Sequence, residues 1–482
     1  MFASDLSSNG FDYAPGRDQL DLAQPAHVTM LTVSALGPWW VSLKSGAKEM
    51  GLLGRIPLYS LASGIVILAG LAREIIVAST FGLSGDLDVL VAVMGFHLLL
   101  GVQAGNAIQQ VFVSKLASQD RRRLKPLIKR AALVLLSINA VALAALVLGS
   151  GPVLRWIFPE FTVEQHETGI RLIRLLLFPI ACAGVAGILR GGLSITGRFT
   201  PVFLGGAIVS VSTIASVLVF ADRWGIDALV WGFAAGHFLV LAWFAFALWR
   251  SPVSPSSAMV EEQDRRVEVS ELWRPTLIVL FGEFLFQAVV MTERSFASGL
   301  GTGKIAAFFY AGSIIAVPLA LFTTPINTTL FPRLARAFHA GYREGHALLV
   351  RYGAILFGGA LLFSVALALG AKPLIEIALV RGKFSMTDAE ITAHILAMLV
   401  WGLPLAGLYG IIRNSFYSLS DYRTPVMGYG IKWLTLILFG SWLVPALGVD
   451  GLAFASVAAQ ATDTGVMGWL LHRRLAERSE ML

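Results

Sequence analysis

Charged and amide side chains stand inside otherwise apolar stretches of this sequence, where only a function or a close partner offsets their cost. Arg73 and Glu74 are adjacent near the outer end of one such stretch, and Glu293-Arg294 repeat the theme in another. An arginine there can bind a phosphate, and snorkelling to the membrane surface is the structural alternative. Neighbours on a helix point in different directions, so Arg73 and Glu74 are not expected to face one cavity together. Glu283 lies about ten residues before Glu293, with Gln287 one turn away on the same face. A carboxyl at that depth can carry a proton or a sodium ion, or hydrogen-bond a neighbouring helix in its protonated form. Lys432 and Asp463 fall in the last two apolar stretches and suit an intramembrane pair, structural or ion-coupling. Gln103, Asn106 and Gln110 follow three-and-four spacing, a polar stripe that must face other helices or a watery cavity. Arg190 and Arg413 end two further apolar stretches, placed either to meet a phosphate or to snorkel. His97 and His237 read as packed, hydrogen-bonded histidines.

The elements that position these groups must be membrane helices. The chain has 482 residues, 56% hydrophobic and only 14% charged, with mean hydropathy +0.73. A soluble protein could not cover that much apolar surface. About twelve segments reach the roughly 20 residues that a bilayer core requires. The net charge of +7 is not a nucleic-acid footprint. Basic clusters sit in alternate loops, at Arg121-Arg122-Arg123, at Arg333 to Arg351 and at Arg473-Arg474, which places both termini in the cytoplasm. Arg381 and Lys383 are a small basic pair on the outer side. The single cysteine, Cys182, suits packing. No phosphate-binding loop, HExxH or paired-cysteine metal site is present, so transport must draw on a gradient, of protons or sodium or of the substrate itself.

The chain is internally duplicated. Glu74 to Gly82 matches Glu293 to Gly301 without a gap at Glu, Ala, Ser and Gly. Thr200-Pro201-Val202 matches Thr424-Pro425-Val426, and Gly225-Ile226-Asp227 matches Gly448-Val449-Asp450. Duplication suits a two-lobed transporter in which each lobe closes one side of a central site. Residues 51–250 and 271–475 are expected to be the two six-helix lobes. The Pro/Ser and mixed-charge stretch 251–270 is then a cytoplasmic linker, and 476–482 a cytoplasmic tail. Residues 1–50 lack the features of a secretory signal and read as a cytoplasmic or interfacial extension, unless translation starts at Met50.

The motifs Leu71-Ala72-Arg73-Glu74, Phe296 to Gly301, Phe331-Pro332-Arg333-Leu334 and Phe416 to Val426 resemble the lipid II flippase family of the multidrug/oligosaccharidyl-lipid/polysaccharide exporter superfamily. The resemblance covers roughly Gly51 to Leu475. It implies two six-helix bundles related by a pseudo-twofold axis along the membrane normal, and a central cavity for a polyprenyl-diphosphate-linked sugar. It also implies a bacterial inner-membrane location, lipid contacts and no catalysis. Arg73 matches one of the family's cavity arginines. Others are replaced, by Val66-Ile67, Leu99-Leu100 and Ser313, and the family's acidic residue in the second helix by Ala104. Most family members add two helices after the twelfth; this sequence ends there, as polysaccharide-precursor flippases do.

Losing several charge-assisted contacts at ~1.5–3 kcal/mol each weakens diphosphate binding. The expected substrate is therefore an exopolysaccharide or capsule repeat unit, with polysaccharide-assembly proteins as partners. Arg73, Gln103, Asn106, Gln110, Arg190 and Arg413 are its candidate contacts. Glu283, Asp463 and Lys432 are the ion-coupling candidates, and Glu74, Glu293 and Arg294 the repeated motif. Lipid II flipping is the first alternative, a cation-coupled multidrug exporter the second, a membrane polysaccharide polymerase or ligase the third.

Overall fold

The computed structural model describes residues 56–109, 121–196, 199–250, 270–340, 342–419, 421 and 423–479. The extension 1–50, Gln110, all but the last residue of the linker and the end of the tail lie outside them. In chain order the helices are α1 (Ile56–Phe81), α2 (Gly85–His97), α3 (Arg121–Ile157), α4 (Val163–Ile195), α5 (Phe199–Trp224) and α6 (Asp227–Trp249). The second half holds α7 (Ser270–Ser298), α8 (Lys304–Ala340), α9 (Tyr342–Leu379), α10 (Met386–Leu399), α11 (Gly402–Ser418), α12 (Arg423–Leu447) and α13 (Val449–Ser479). α2 continues through a π-helical turn, Leu98–Gln103, to residue 109.

Among the described residues nine helices are long and apolar enough to cross a membrane, and α10 with α11 makes a tenth span bent by 45°. α8, apolar over Lys304–Ala320, and the more polar α13 complete twelve rods of an all-α polytopic membrane protein. Leu68, Leu148, Leu218, Leu362 and Leu438 are exposed on the outside, which only lipid as solvent makes favourable. The bend at Trp401-Gly402 leads into Pro404, which sits in the first turn of α11 where no backbone donor is needed.

Packing repeats as the sequence does. In the first half α6 lies on α5 and α4, and α4 on α3; in the second α13 lies on α12 and α11, and α11 on α9. Side chains fix where helices begin. Thr162 and Gln165 form a reciprocal capping box for α4, and Ser385 and Asp388 do the same for α10. Where α2 crosses α4, Gly105 and Gly187 approach so closely that a Cβ on Gly187 would overlap the Gly105 backbone.

Candidate transport site

The two halves are bolted together at the end that carries the α1–α2, α7–α8 and α9–α10 turns. Asp88, 2% exposed in the first turn of α2, accepts hydrogen bonds from the backbone N–H groups of Gly303 and of Ala306, the latter at 2.7 Å. A carboxylate of the first half thereby caps the N-terminus of α8 in the second, where its charge also meets the positive end of the helix dipole. Beside it, Arg294 donates from Nη1 to the Val91 carbonyl at 2.6 Å, and Ser295 donates to the Ile157 carbonyl. Lys383 N–H donates to the Ser79 carbonyl at 2.7 Å. Glycine is required here: Gly382 has φ +60°, and a Cβ on it would run into the Ser79 carbonyl. Sequence marks Asp86 to Asp88 only as an acidic outer turn and does not reveal the bolt. The available signal is an acid opening one repeat and a Gly299-Leu300-Gly301-Thr302-Gly303 run in the other.

Below the bolt a crevice of about 280 Å³ runs between the halves, walled by α1, α8 and α9. Ile67, Leu71, Ile75, Ile314 and Val317 make it mostly apolar, with Arg73, Glu74, Tyr310 and Ser313 as its polar groups. Here the expectation about directions needs correction: Arg73 and Glu74 line the same crevice. Their long side chains curl together, Nε at 3.1 Å from Oε1 and Nη2 closer still, because pairing costs less than holding each charge separately at that depth.

A second cavity, about 240 Å³, lies inside the second half between α7, α8, α11, α12 and α13. Lys432 donates to Gln460 Oε1 at 2.6 Å, and Ser456 donates to Glu293 Oε1 at 2.6 Å. The expected Lys432–Asp463 pair is not made. Asp463, 1% exposed and one turn beyond Gln460 on α13, has no hydrogen-bond partner on either oxygen among the described residues. Its Oδ1 lies against Gly428, one turn before Lys432 on α12. Lysine reaches Gln460 because that residue is directly across the α12–α13 seam. Glu283 belongs to the same charged neighbourhood through Arg413, while Gln287 is buried with its amide nitrogen unpartnered among the described residues.

The polar stripe on α2 turns inward rather than toward water. Gln103 is buried, and Asn106 accepts a hydrogen bond from Arg190 of α4 in the same half. Arg413 donates to Tyr429 Oη at 3.2 Å and lies over the Tyr409 ring. Arg190 and Arg413, equivalent in the repeat, are thus each held by a neutral partner inside their own half. His97 is fully buried, but neither ring nitrogen is bonded among the described residues; it meets His237 and Phe233 edge-on, both centroids 4.8 Å away. His237 is hydrogen-bonded to the Phe233 carbonyl, as expected of a packed histidine.

The motif Phe416 to Val426 proves to be a corner. Asp421 accepts from the N–H groups of Arg423 and Thr424 at 3.0 and 3.1 Å and from Arg474 of α13. Burial raises the Asp421 carboxyl, but the bonds from Thr424, the Arg474 charge and the Arg423 N–H outweigh it and hold the group below its ordinary range.

Comparison with known proteins follows this architecture. The model of the family described as "Lipid II flippase MurJ" matches residues 77–481. A probable lipid II flippase MurJ of Vibrio cholerae is 26% identical over 433 residues, covering 82% of this chain and 80% of that one. Among solved structures, "Lipid II flippase MurJ, inward closed conformation" superposes with TM-score 0.71 at 18% identity, covering 86% of this chain and 87% of that chain. An inward-facing multidrug resistance MATE family transporter of the same superfamily reaches TM-score 0.64 at 15% identity, covering 88% of this chain and 95% of the other. The duplicated helical fold, the motifs and the extent of the match agree: the chain is a membrane transporter, not an enzyme, and it belongs to the MurJ lipid II flippase family.

Proposed function

We propose that this chain carries a polyprenyl-diphosphate-linked glycan across the bacterial inner membrane, and that lipid II is the first substrate to test. The observation that carries the reading is the crevice between the halves. It offers an apolar wall of α1 and α8 side chains for a polyprenyl tail and the Arg73–Glu74 pair for a charged headgroup. The names of the relatives favour lipid II over the exopolysaccharide or capsule unit expected from the missing arginines. With both termini cytoplasmic, the bolted end faces the periplasm. Transport then consists of releasing the bolt and rocking 51–250 against 271–475, which exposes the crevice to each side in turn.

A different lipid-linked glycan is the second reading, because among the described residues Arg73 is the only cation lining this crevice, with Ile67 and Ser313 beside it. Depletion of the protein in its host, followed by mass spectrometry of polyprenyl-linked intermediates, separates the two. Accumulated lipid II with lysis supports the first. A surface-polymer repeat unit accumulating with normal lipid II overturns it in favour of the second.

A further inference from the structure

A lysine and an unpartnered acid occupy the interior of the second half, and the duplication shows that the scaffold does not need them. The position equivalent to Lys432 in the first half is Ile208 or Val209, depending on which flanking motif sets the register, and that of Asp463 is Val240. Both halves form the same bundle, so the apolar pair is the plain structural solution and the charged one is an addition.

We propose that Lys432 and Asp463 form a proton-operated site in which the lysine ammonium is a tethered cation that changes partner. This deepens the transport reading by naming the coupling ion, and it rests on that reading only for the step that moves substrate. The cavity holds its own cation at the Gln460 amide oxygen, and Oε1 of Glu293, the carboxylate that lines it, is already bonded by Ser456. A free sodium ion would meet an ammonium where it needs oxygen ligands. Asp463 lacks any donor among the described residues, the condition in which an acid at membrane depth is least costly when neutral. When Asp463 gives its proton to water, the carboxylate draws the ammonium about one helical turn along the seam, from Gln460 toward Gly428. Reprotonation returns Lys432 to Gln460. The other groups facing the pair are Arg413 with Tyr409 and Tyr417 on α11, Tyr429 on α12, and Glu283 and Glu293 on α7. None of these hydrogen-bonds Asp463.

The same turn of α7 carries the signal outward. Glu293 lines the cavity, and the next residue, Arg294, donates across the bolt to Val91. Trp433, beside Lys432, donates to Thr292, beside Glu293, at 2.9 Å. A change of partner at Lys432 therefore acts on the turn that holds the two halves together.

The test uses the full chain in detergent with spin labels on the α1–α2 and α9–α10 turns, read by distance measurement across pH, in sodium and then in potassium. The wild type is expected to shift its bolted population by roughly tenfold with pH and equally in both salts. Asp463→Asn and Lys432→Gln, each checked for monodisperse folding, are expected to lose that shift. Lys432→Arg, which keeps the cation, is expected to retain it. A wild type that responds to sodium but not to pH overturns the proposal, as does a full pH response in Asp463→Asn. No lipid enters this measurement. Failure of reconstituted wild type to move fluorescent lipid II counts against the transport reading alone.

Discussion

Glu74 and Glu293 hold the same place in the two halves and have different partners. Glu74 pairs with the adjacent Arg73 at the wall of the crevice, while Glu293 turns into its own bundle and is held by Ser456. The residue after it, Arg294, bonds to the first half, and Asp88 bonds to the second. A second equivalent pair differs in chemistry instead of direction. Arg171–Asp227 at 2.8 Å and His394–Asp450 at 2.7 Å each join residues 56 apart in sequence, tying the third turn of one helix to the start of another. One half is clamped by a permanent cation, the other by a cation that needs a proton. Duplication supplied two copies of a scaffold; the differences between them show where work was divided. The first half supplies the charged wall of the crevice and the acid of the bolt. The second supplies the charged interior and the helix end that the acid caps.

The largest effect should come from breaking that division at the bolt. Asp88→Ala removes two hydrogen bonds to a buried carboxylate, at ~1.5–3 kcal/mol each. Cysteine cross-linking across the α2–α8 contact should show the bolted population falling tenfold or more, and an unchanged yield would remove Asp88 from the gate. Next, Arg73→Ala leaves Glu74 as an unpaired charge, so lipid translocation should fall more in the single variant than additivity with Glu74→Gln predicts. The coupling should be about 1–3 kcal/mol in a double-mutant cycle; simple additivity would mean that the two act separately.

At the Asp421 corner, Asp421→Asn should cost about 0.5–2 kcal/mol of stability in detergent. The folded carboxyl titrates below its ordinary value, so its contribution is complete above about pH 4 and disappears as pH falls through the lower folded value. The stability difference between the wild type and the Asp421→Asn variant should therefore vanish in acid; a difference that persists there would place the effect in packing. The smallest effect is the exchange of clamps. His394→Arg should gain no more than about 1 kcal/mol, because the pair is exposed. Arg171→His should lose a similar amount, measured as thermal unfolding.

The membrane character, the rod count and the duplication were legible because lipid solvent demands long apolar runs and repeats leave matched motifs. Partner choice was less legible. Arg73 and Glu74 looked divergent on a helical wheel, yet long side chains close that angle when an ion pair is the lower-energy state. Lys432 and Asp463 looked like a pair, yet the α12–α13 register sets Gln460 opposite the lysine. The corner motif was legible only as a family resemblance, and its structural part, a cap that ties α12 to α13, was not.

Sequence alone determined that this protein is a duplicated membrane transporter of a recognisable family, because solvent, helix length and repeat are local or periodic properties of the chain. Tertiary structure decided that Asp88 is a bolt, that Glu74 and Glu293 do different work, and that Asp463 stands without a partner among the described residues. The first depends on which helix ends meet across more than two hundred residues, and the others on how neighbouring helices pack side by side, matters that no local pattern encodes.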